Sequence, residues 1–338
     1  MVKSSKYYAE SVSIPVYKVE AFIERCARSL FEQTLKEDVE FIFVDDASPD
    51  YSISNIHQCL NDYPERKQQT KILVHSQNQG LPSARNTGLQ VASGKYVFHC
   101  DSDDYLDGGA LELMYAAAEQ SQADMVWCDW YLSFAHNERY MKQPKYDSPI
   151  EVLKGMLGGS MKYNVWNKLV SRRLYTDNQI TFSDGHGMGE DMTMIRLAAC
   201  AKRVCYLPQA FYHYVRQNEH GFTQVRQPAG INYRHLEDLK WNVERTTNFV
   251  AQKWGSQVEK ELAFFKLEAK FPFLISEDTE RYALWQSWFP EANPYILQNH
   301  YISFRSRMLQ YWASKKQFWV VRLYNQILMK LVYGVLYK

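Results

Sequence analysis

The chain has 338 residues, of which 46% are apolar and 23% charged, so it can bury a substantial core and global disorder is excluded. That length suits one large domain with an appendage, or two domains. A formal net charge of +1 argues against a general nucleic-acid binder. The six cysteines form no C-x-x-C pair, which predicts reduced thiols in a cytoplasmic protein. Residues 1–10 are polar and no uncharged apolar run reaches 18 residues, so neither a secretory signal nor a membrane-spanning helix is predicted.

Predicted strands and helices alternate regularly over the first part of the chain. Strands are predicted at residues 12–17, 39–44, 71–75, 96–100 and 124–131. Helices are predicted between them at residues 22–33, 53–60, 82–91 and 109–120. This alternation predicts an α/β fold with a mainly parallel sheet and helices on both faces. Ligands bind such sheets at the carboxyl ends of the strands.

Carboxylates follow two of these strands directly. Asp46 follows the second strand, and Asp101, Asp103 and Asp104 follow the fourth. Three carboxylates within four residues do not suit a core, because they repel one another unless a cation or a donor compensates. Mg²⁺ or Mn²⁺ prefers oxygen ligands and would attract a diphosphate. The alternative is an acidic turn that caps the helix beginning near Gly108.

The alternation stops after residue 131. A glycine-containing loop is predicted at 181–189, and Glu190 and Asp191 are predicted to open a helix. Short strands are predicted at 204–207 and 210–215, and helices from residue 235 onward. We predict two domains, an α/β domain over residues 1–225 and a helical C-terminal region over residues 226–338.

Five segments together resemble the successive motifs of glycosyltransferase family 2, whose members are inverting enzymes with the GT-A fold. These segments are residues 12–17, 44–48, 78–88 (NQGLPSARNTG), 101–105 and 190–191. The resemblance covers about residues 11–224, and its most specific parts are 78–88 and 101–105. It implies transfer of a hexose from a UDP-sugar to a hydroxyl of a glycan or lipid-linked acceptor, as in bacterial surface-polysaccharide synthesis.

The resemblance also implies a role for each matching residue. The nucleotide sugar is expected to contact Pro15, Tyr17, Glu20, Asp46, Asn78, Arg85, Asp101 and Ser102. Asp103 is expected to hold Mn²⁺ or Mg²⁺ on the diphosphate, and Asp191, beside Glu190, to act as general base. The acceptor is expected to contact Trp166, Asn167 and Lys168. Lys18 and Ala47 depart from the pattern, which often has Asn and Gly at these positions.

Several of these residues have plainer alternatives. Asp46 could cap a helix, Arg85 could be a charge on a helix surface, and Trp166 could belong to the core. The acidic pair Glu190 and Asp191 could be an ordinary first turn of a helix.

The same residues suit the chemistry of sugar transfer. UDP is a poor leaving group until its charge is neutralised, which a cation and Arg85 would do. Two other functions stay open: a nucleotidyltransferase that makes nucleotide sugars, and a non-catalytic relative that only binds glycans. The first calls for a glycine-rich loop after the first strand, and residues 14–20 contain no glycine. The second would be favoured by loss of an acidic motif, and none is lost.

The C-terminal segment has an unusual charge pattern. Residues 301–338 contain seven basic residues and no acidic residue. Leu323, Ile327, Leu331 and Val335 recur at a spacing that predicts an apolar helix face. Basic residues with Trp and Tyr beside such a face are typical of an interfacial helix. We predict that the chain from about residue 311 docks peripherally on the inner face of the cell membrane; the alternatives are packing on its own core and a homodimer contact.

Overall fold

The structure, a computed structural model, describes residues 8–218 and 231–335, with side chains up to residue 327. The chain divides into two compact units, one formed by residues 1–149 and 163–242 and the other by residues 150–162 and 243–338. The predicted domain boundary after residue 225 lies outside the described residues.

The first unit is organised around one β-sheet. Its strands are β1 (Glu10–Val16), β2 (Val39–Asp45), β3 (Thr70–Val74), β4 (Tyr96–His99), β5 (Tyr105–Leu106), β6 (Met125–Ser133), β7 (Glu138–Met141), β8 (Lys168–Ser171) and β9 (Val204–Val215). They lie in the order β3-β2-β1-β4-β8-β6-β9-β5, with β7 paired to β6. The predicted parallel pairing is confirmed from β1 to β4. The antiparallel strand β8, between β4 and β6, makes the whole sheet mixed.

The helices of this unit are α1 (Ile23–Phe31), α2 (Ser52–Asp62), α3 (Leu81–Val91), α4 (Ala110–Ser121), α6 (Arg172–Asp177) and α7 (Thr193–Ala198). The apolar face of α1 packs on the sheet, where the Phe31 ring lies edge-on to Phe41 and Phe43 of β2 at 5.6 and 6.1 Å between centroids. All residues of β1 and β2 are buried, which explains the nearly continuous apolar sequence of β2. The six cysteines are free.

Two local predictions differ from the structure. The strands predicted at 204–207 and 210–215 form one strand, β9, whose pairing with β6 shifts register between Cys128 and Trp130. The irregularity accommodates Pro208, which has no N–H to donate to a ladder. Glu190–Met192 forms a single 3₁₀ turn rather than the first turn of an α-helix, and α7 begins directly after it.

The C-terminal region is helical, as predicted. Its helices are α8 (Tyr233–Trp254), α9 (Glu259–Lys270), α10 (Thr279–Ser287), α11 (Phe304–Ser314) and α12 (Phe318–Val335). The second unit also contains α5 (Pro149–Gly158), apart from its first residue. A side chain at Gly158 would place its Cβ 2.3 Å from the ring of Tyr301, so only glycine permits this close approach within the second unit. Within the described part of the chain, no helix has the length and apolarity needed to cross a bilayer.

Candidate active site

The carboxylates that follow β4 have different environments. Asp104 is buried and accepts hydrogen bonds from the Tyr212 hydroxyl at 2.6 Å and the Val215 N–H at 2.7 Å. The expectation that none of the three carboxylates suits a core was therefore wrong for Asp104, because β9 supplies two donors to it. Burial raises the pKa of Asp104 well above its ordinary value. Asp101 and Asp103 remain partly exposed.

Arg85 joins two acidic segments at the centre of the site. Only 1% of its side chain is exposed, and Nη2 donates to Asp101 Oδ1 at 2.8 Å and to Glu190 Oε1 at 3.4 Å. Among the described residues, Arg85 Nε and Nη1 and Glu190 Oε2 have no hydrogen-bond partner although they are buried. Unpaired buried polar atoms are costly, so their presence here marks a site with capacity for a polar ligand.

Asp103 has one side-chain donor close by. Its Oδ2 accepts from Asn218 Nδ2 at 2.8 Å. Burial and the neighbouring Asp101 raise the pKa of Asp103 to about 6. A divalent cation would offset this burial and repulsion. Among the described residues no group of three or more His, Cys, Asp or Glu side chains is arranged to hold a metal. A carboxylate with few protein co-ligands fits Mg²⁺ or Mn²⁺, because such ions often complete their shell with water and substrate phosphates.

Glu190 and Asp191 follow Gly189, whose φ of 85° is left-handed. Burial raises the pKa of both carboxyl groups, and the guanidinium of Arg85 opposes the rise. A partly exposed carboxylate whose pKa is raised is suited to accept a proton near neutral pH.

The loop before Glu190 is held by side chains of two helices. Asn86 of α3 binds the backbone of Phe182 through both its amide atoms, at 3.0 and 2.9 Å, and donates to Asp184 at 2.8 Å. Asn242 of α8 donates to the Met188 carbonyl at 2.7 Å. Sequence reasoning did not single out these asparagines. The sequence did contain a signal for Asn86, which lies within the NQGLPSARNTG segment of the family pattern. It contained no signal for Asn242 or Asn218.

Asp46 is buried at the end of β2 and holds the loop that follows β3. Its Oδ1 lies 2.7 Å from His75 Nδ1 and accepts from the Gln79 N–H, and Oδ2 accepts from the Gly80 N–H at 2.8 Å. The exposed Asn78 side chain donates to the Asp46 carbonyl at 3.3 Å. Contact of Asp46 and Asn78 with a nucleotide stays a prediction.

The remaining predicted donor contacts lie near the ends of β1 and β4. Pro15 is buried within β1, Tyr17 is 40% exposed just beyond it, and Ser102 is buried after β4. Glu20 is exposed, and its carboxylate accepts from the Tyr51 N–H at 3.0 Å. These residues therefore lie at the same edge of the sheet as Asp46 and Asp101.

The two departures from the family pattern share one backbone conformation. Lys18 has φ of 54° and Ala47 has φ of 55°, both in the left-handed region. Glycine and asparagine are the residues that adopt this region most readily, because most other side chains crowd the following carbonyl. The left-handed backbone of the two loops thus explains why Asn and Gly are common at these positions.

We expect Ala47→Gly to stabilise the protein. Glycine removes a left-handed penalty of about 1–2 kcal/mol but loses about 0.5–1 kcal/mol of backbone entropy, so the net gain is up to about 1.5 kcal/mol. The measurement is the urea midpoint. Ala92→Gly is the matched control, since Ala92 has φ of −62° and should only lose stability. A loss of stability at Ala47 equal to that at Ala92 would contradict the backbone explanation.

The predicted acceptor residues lie in the interior. Trp166 is 6% exposed and stacks on Tyr212 and Tyr214, with centroids 4.5 and 5.3 Å apart. Asn167 and Lys168 are fully buried. The core alternative for Trp166 therefore accounts for its surroundings, and contact of these three residues with an acceptor stays a prediction.

Comparisons with known proteins identify the family and the fold. The family model described as "Glycosyl transferase family 2" matches residues 11–194, which is more than half of the chain. The chain belongs to this family. It is 32% identical over 237 residues to the uncharacterized glycosyltransferase EpsJ of Bacillus subtilis, covering 67% of this chain and 66% of EpsJ. It is 38% identical over 235 residues to the poly(ribitol-phosphate) beta-glucosyltransferase of Bacillus spizizenii, covering 68% of this chain.

The chain spans less than two thirds of the length of these relatives, and only 36% of the glucosyltransferase. Among solved structures, residues 1–349 of TarS from S. aureus, in complex with UDP, match with a TM-score of 0.69 and 20% identity. The match covers 94% of this chain and 90% of the TarS chain. The fold is therefore the GT-A fold of that protein, and the predicted fold class is confirmed.

Proposed function

We propose that this protein transfers a hexose from a UDP-sugar to an acceptor hydroxyl with inversion at the anomeric carbon. The observation that carries the proposal is the hydrogen-bonded group Asp101, Arg85 and Glu190, with Asp103 and Asp191 beside it. TarS, solved with UDP and with UDP-GlcNAc, supports a UDP-sugar donor. Membership of the family favours glycosyl transfer over nucleotidyl transfer or glycan binding alone.

Each residue has a distinct part in the proposed reaction. Asp191 takes the proton of the acceptor hydroxyl as it attacks, and the guanidinium of Arg85 favours its ionised form. Arg85 fixes Asp101, whose free oxygen faces the ribose or the transferred sugar. Glu190, with its raised pKa, can hold a proton near neutral pH and so limits the negative charge around the base.

Asp103, oriented by Asn218, is the proposed holder of Mn²⁺ or Mg²⁺. When bound, the cation neutralises charge that develops on the diphosphate leaving group. The mannosyltransferase PcManGT of Pyrobaculum calidifontis, solved with GDP-Man and Mn²⁺, supports metal use on this fold, with a TM-score of 0.51.

The names of two relatives support an acceptor on a bacterial surface glycan. One is the poly(ribitol-phosphate) beta-glucosyltransferase, and the other is the minor teichoic acid biosynthesis protein GgaB of Bacillus subtilis, which is 28% identical over 240 residues. We propose a glycan or a lipid-linked saccharide as acceptor, used at the cytoplasmic face of the membrane.

A ligand panel tests the proposed donor. UDP-, GDP- and TDP-sugars are added with and without Mn²⁺, and the melting temperature and nucleotide release are measured. Binding to the native state raises the melting temperature by mass action. We expect UDP-sugars with Mn²⁺ to give the largest shift and to release UDP. A larger shift with a GDP- or TDP-sugar would contradict the proposed donor.

The C-terminal helices support a peripheral membrane contact. Trp319, Leu323 and Ile327 of α12 recur every four residues and are 66%, 48% and 49% exposed, whereas Val321 and Asn325 are buried. The predicted continuation of this row, Leu331 and Val335, lies outside the described side chains. No acidic residue follows Glu291 in the sequence. An exposed apolar row in a basic segment suits a bilayer with anionic lipid, which contributes about 1 kcal/mol per basic residue near the surface.

We expect the wild-type protein to float with anionic liposomes at low salt. Replacing Trp319, Leu323 and Ile327 by Gln should abolish flotation, because it removes the apolar row without touching the buried face. Ile275→Gln, at a position 62% exposed in the same unit, is the control and should float normally. A wild-type protein that stays in the soluble fraction would contradict membrane contact. A dimer that the triple variant dissociates would assign the row to a homodimer instead.

A further inference from the structure

Two stacked aromatic rings lie beside the loop that leads to the proposed base. The ring centroids of His186 and Trp241 are 4.0 Å apart, and the ring planes are inclined by only 10°. His186 belongs to the loop and Trp241 to α8, and both lie in the first unit. Trp241 is 39% exposed and the side chain of His186 is 34% exposed. Stacking therefore fixes the two rings while a large part of their surface remains in contact with solvent.

Both ends of this loop, residues 182–189, are fixed to consecutive residues of α3. Near its start, Asn86 Nδ2 donates to Asp184 Oδ1 at 2.8 Å. Directly after its end, Glu190 Oε1 accepts from Arg85 Nη2 at 3.4 Å. The loop therefore begins and ends at the candidate active site, and its histidine lies between these two anchors.

Helix α8 holds the middle of the loop against the same site. Asn242 Nδ2 donates to the His186 carbonyl at 3.3 Å and to the Met188 carbonyl at 2.7 Å. A Cβ built at Gly189 would lie 3.4 Å from Asn242 Cβ, so α8 closely approaches the residue directly before the acidic pair. Trp241 precedes Asn242 in α8. The ring pair therefore lies close to the acidic pair.

The imidazole of His186 has a fixed orientation. Its Nδ1 lies 3.0 Å from Asp238 Oδ1. A carboxylate partner makes Nδ1 the donor, which leaves Nε2 as an acceptor in the neutral ring. Among the described residues, Nε2 makes no hydrogen bond. The pair thus combines aromatic surface with one hydrogen-bond acceptor, and small-molecule sites are typically lined by aromatic side chains with a few placed polar groups.

A pyranose ring matches this surface. Its C–H groups form an apolar face that packs on an aromatic ring, whose own face is electron-rich. Its hydroxyl groups are donors for an imidazole nitrogen. A polyol phosphate is acyclic and has no such face, and it would bring negative charge close to the carboxylate of Asp238.

We infer that His186 and Trp241 form a subsite for a pyranose ring of the acceptor, which makes the acceptor a saccharide rather than a polyol phosphate. This inference rests on the proposed glycosyl transfer and names the acceptor class for it. The pair offers solvent-exposed ring surface, which the buried Trp166 does not.

Saturation-transfer NMR of the full chain with UDP and Mn²⁺ tests the subsite. The probes are maltose, cellobiose, lactose and chitobiose, with ribitol phosphate as the acyclic comparison. We expect the wild-type protein to bind at least one disaccharide, through its ring C–H protons, and to bind ribitol phosphate more weakly. Trp241→Ala should weaken disaccharide binding about 3- to 10-fold, as expected for the loss of one aromatic contact.

Trp312→Ala is the matched control. Trp312 is 37% exposed but belongs to α11 in the second unit, so this variant should bind the disaccharides like the wild-type protein. Calorimetric binding of UDP shows that each variant is folded. If Trp241→Ala does not fold, His186→Ala replaces it, because a change in the loop leaves α8 intact. It should weaken the same disaccharides, since it removes one ring and the acceptor nitrogen.

Three results would overturn the subsite: no disaccharide binding by the wild-type protein, undiminished binding by the folded variants, or tighter binding of ribitol phosphate. The donor reaction is measured separately, as UDP release from UDP-glucose and UDP-GlcNAc with water as acceptor. UDP release without disaccharide binding that depends on Trp241 would leave the proposed transfer standing and remove the subsite. Disaccharide binding that depends on Trp241, without UDP release, would keep the saccharide subsite and overturn the proposed transfer.

Discussion

Asp191→Asn is expected to lower kcat by about 10²–10⁴-fold and to leave UDP binding nearly unchanged. The amide has the shape of the carboxylate but cannot accept the proton of the attacking hydroxyl. Asp191 is the candidate because it is partly exposed and the guanidinium of Arg85 favours its ionised form. The measurement is steady-state UDP release, with UDP affinity determined separately by calorimetry.

The role of Asp191 as base also predicts how kcat of the wild-type enzyme depends on pH. Burial raises the pKa of Asp191 to about 6, so the ionised form needed for catalysis is lost as pH falls through that value. Asp238→Asn is the control, because Asp238 binds His186 of the same loop at 3.0 Å but has no part in proton transfer. Asp238→Asn should keep a kcat close to wild type, and if Asp191→Asn also stays within a few-fold of wild type, the base has been misassigned.

Asp103→Ala is expected to abolish turnover and to remove the effect of Mn²⁺ on UDP binding. Asp103 is partly buried beside Asp101, and removing it deprives the cation of its proposed protein ligand. The variant should remain folded, because the site loses a carboxylate whose charge is disfavoured there. Asp62→Ala, which removes an exposed partner of Arg28, is the control and should keep full activity. Turnover by Asp103→Ala at saturating Mn²⁺ would exclude Asp103 as the essential ligand.

The fold and the position of the carboxylates at the strand ends could largely be predicted from sequence. The alternation of apolar strands and helices is a local signal, and it located β1 to β4 and the carboxylates at their ends. The strand β8 was not predicted, because Lys168–Ser171 is short and is inserted antiparallel between β4 and β6. Such pairing depends on contacts between distant segments, which a single sequence does not display.

The parts of the site that were missed depend on long-range hydrogen bonds. Asn218 lies 115 positions from the Asp103 carboxylate that it binds. The hydrogen-bond donors that allow Asp104 to be buried come from β9, more than a hundred positions away in the sequence. Lys168 was predicted as an acceptor contact, and its complete burial could not be read from the sequence, since lysine is usually exposed.

We propose that the end of β4 binds a uridine diphosphate through a divalent cation held by Asp103. Calorimetric titration of the wild-type protein with UDP, in Mn²⁺ and in EDTA, tests this most directly. We expect clear binding of UDP in Mn²⁺, little or none in EDTA, and loss of this difference in Asp103→Ala. Equal affinity in Mn²⁺ and EDTA, or tighter binding of GDP than of UDP, would contradict it.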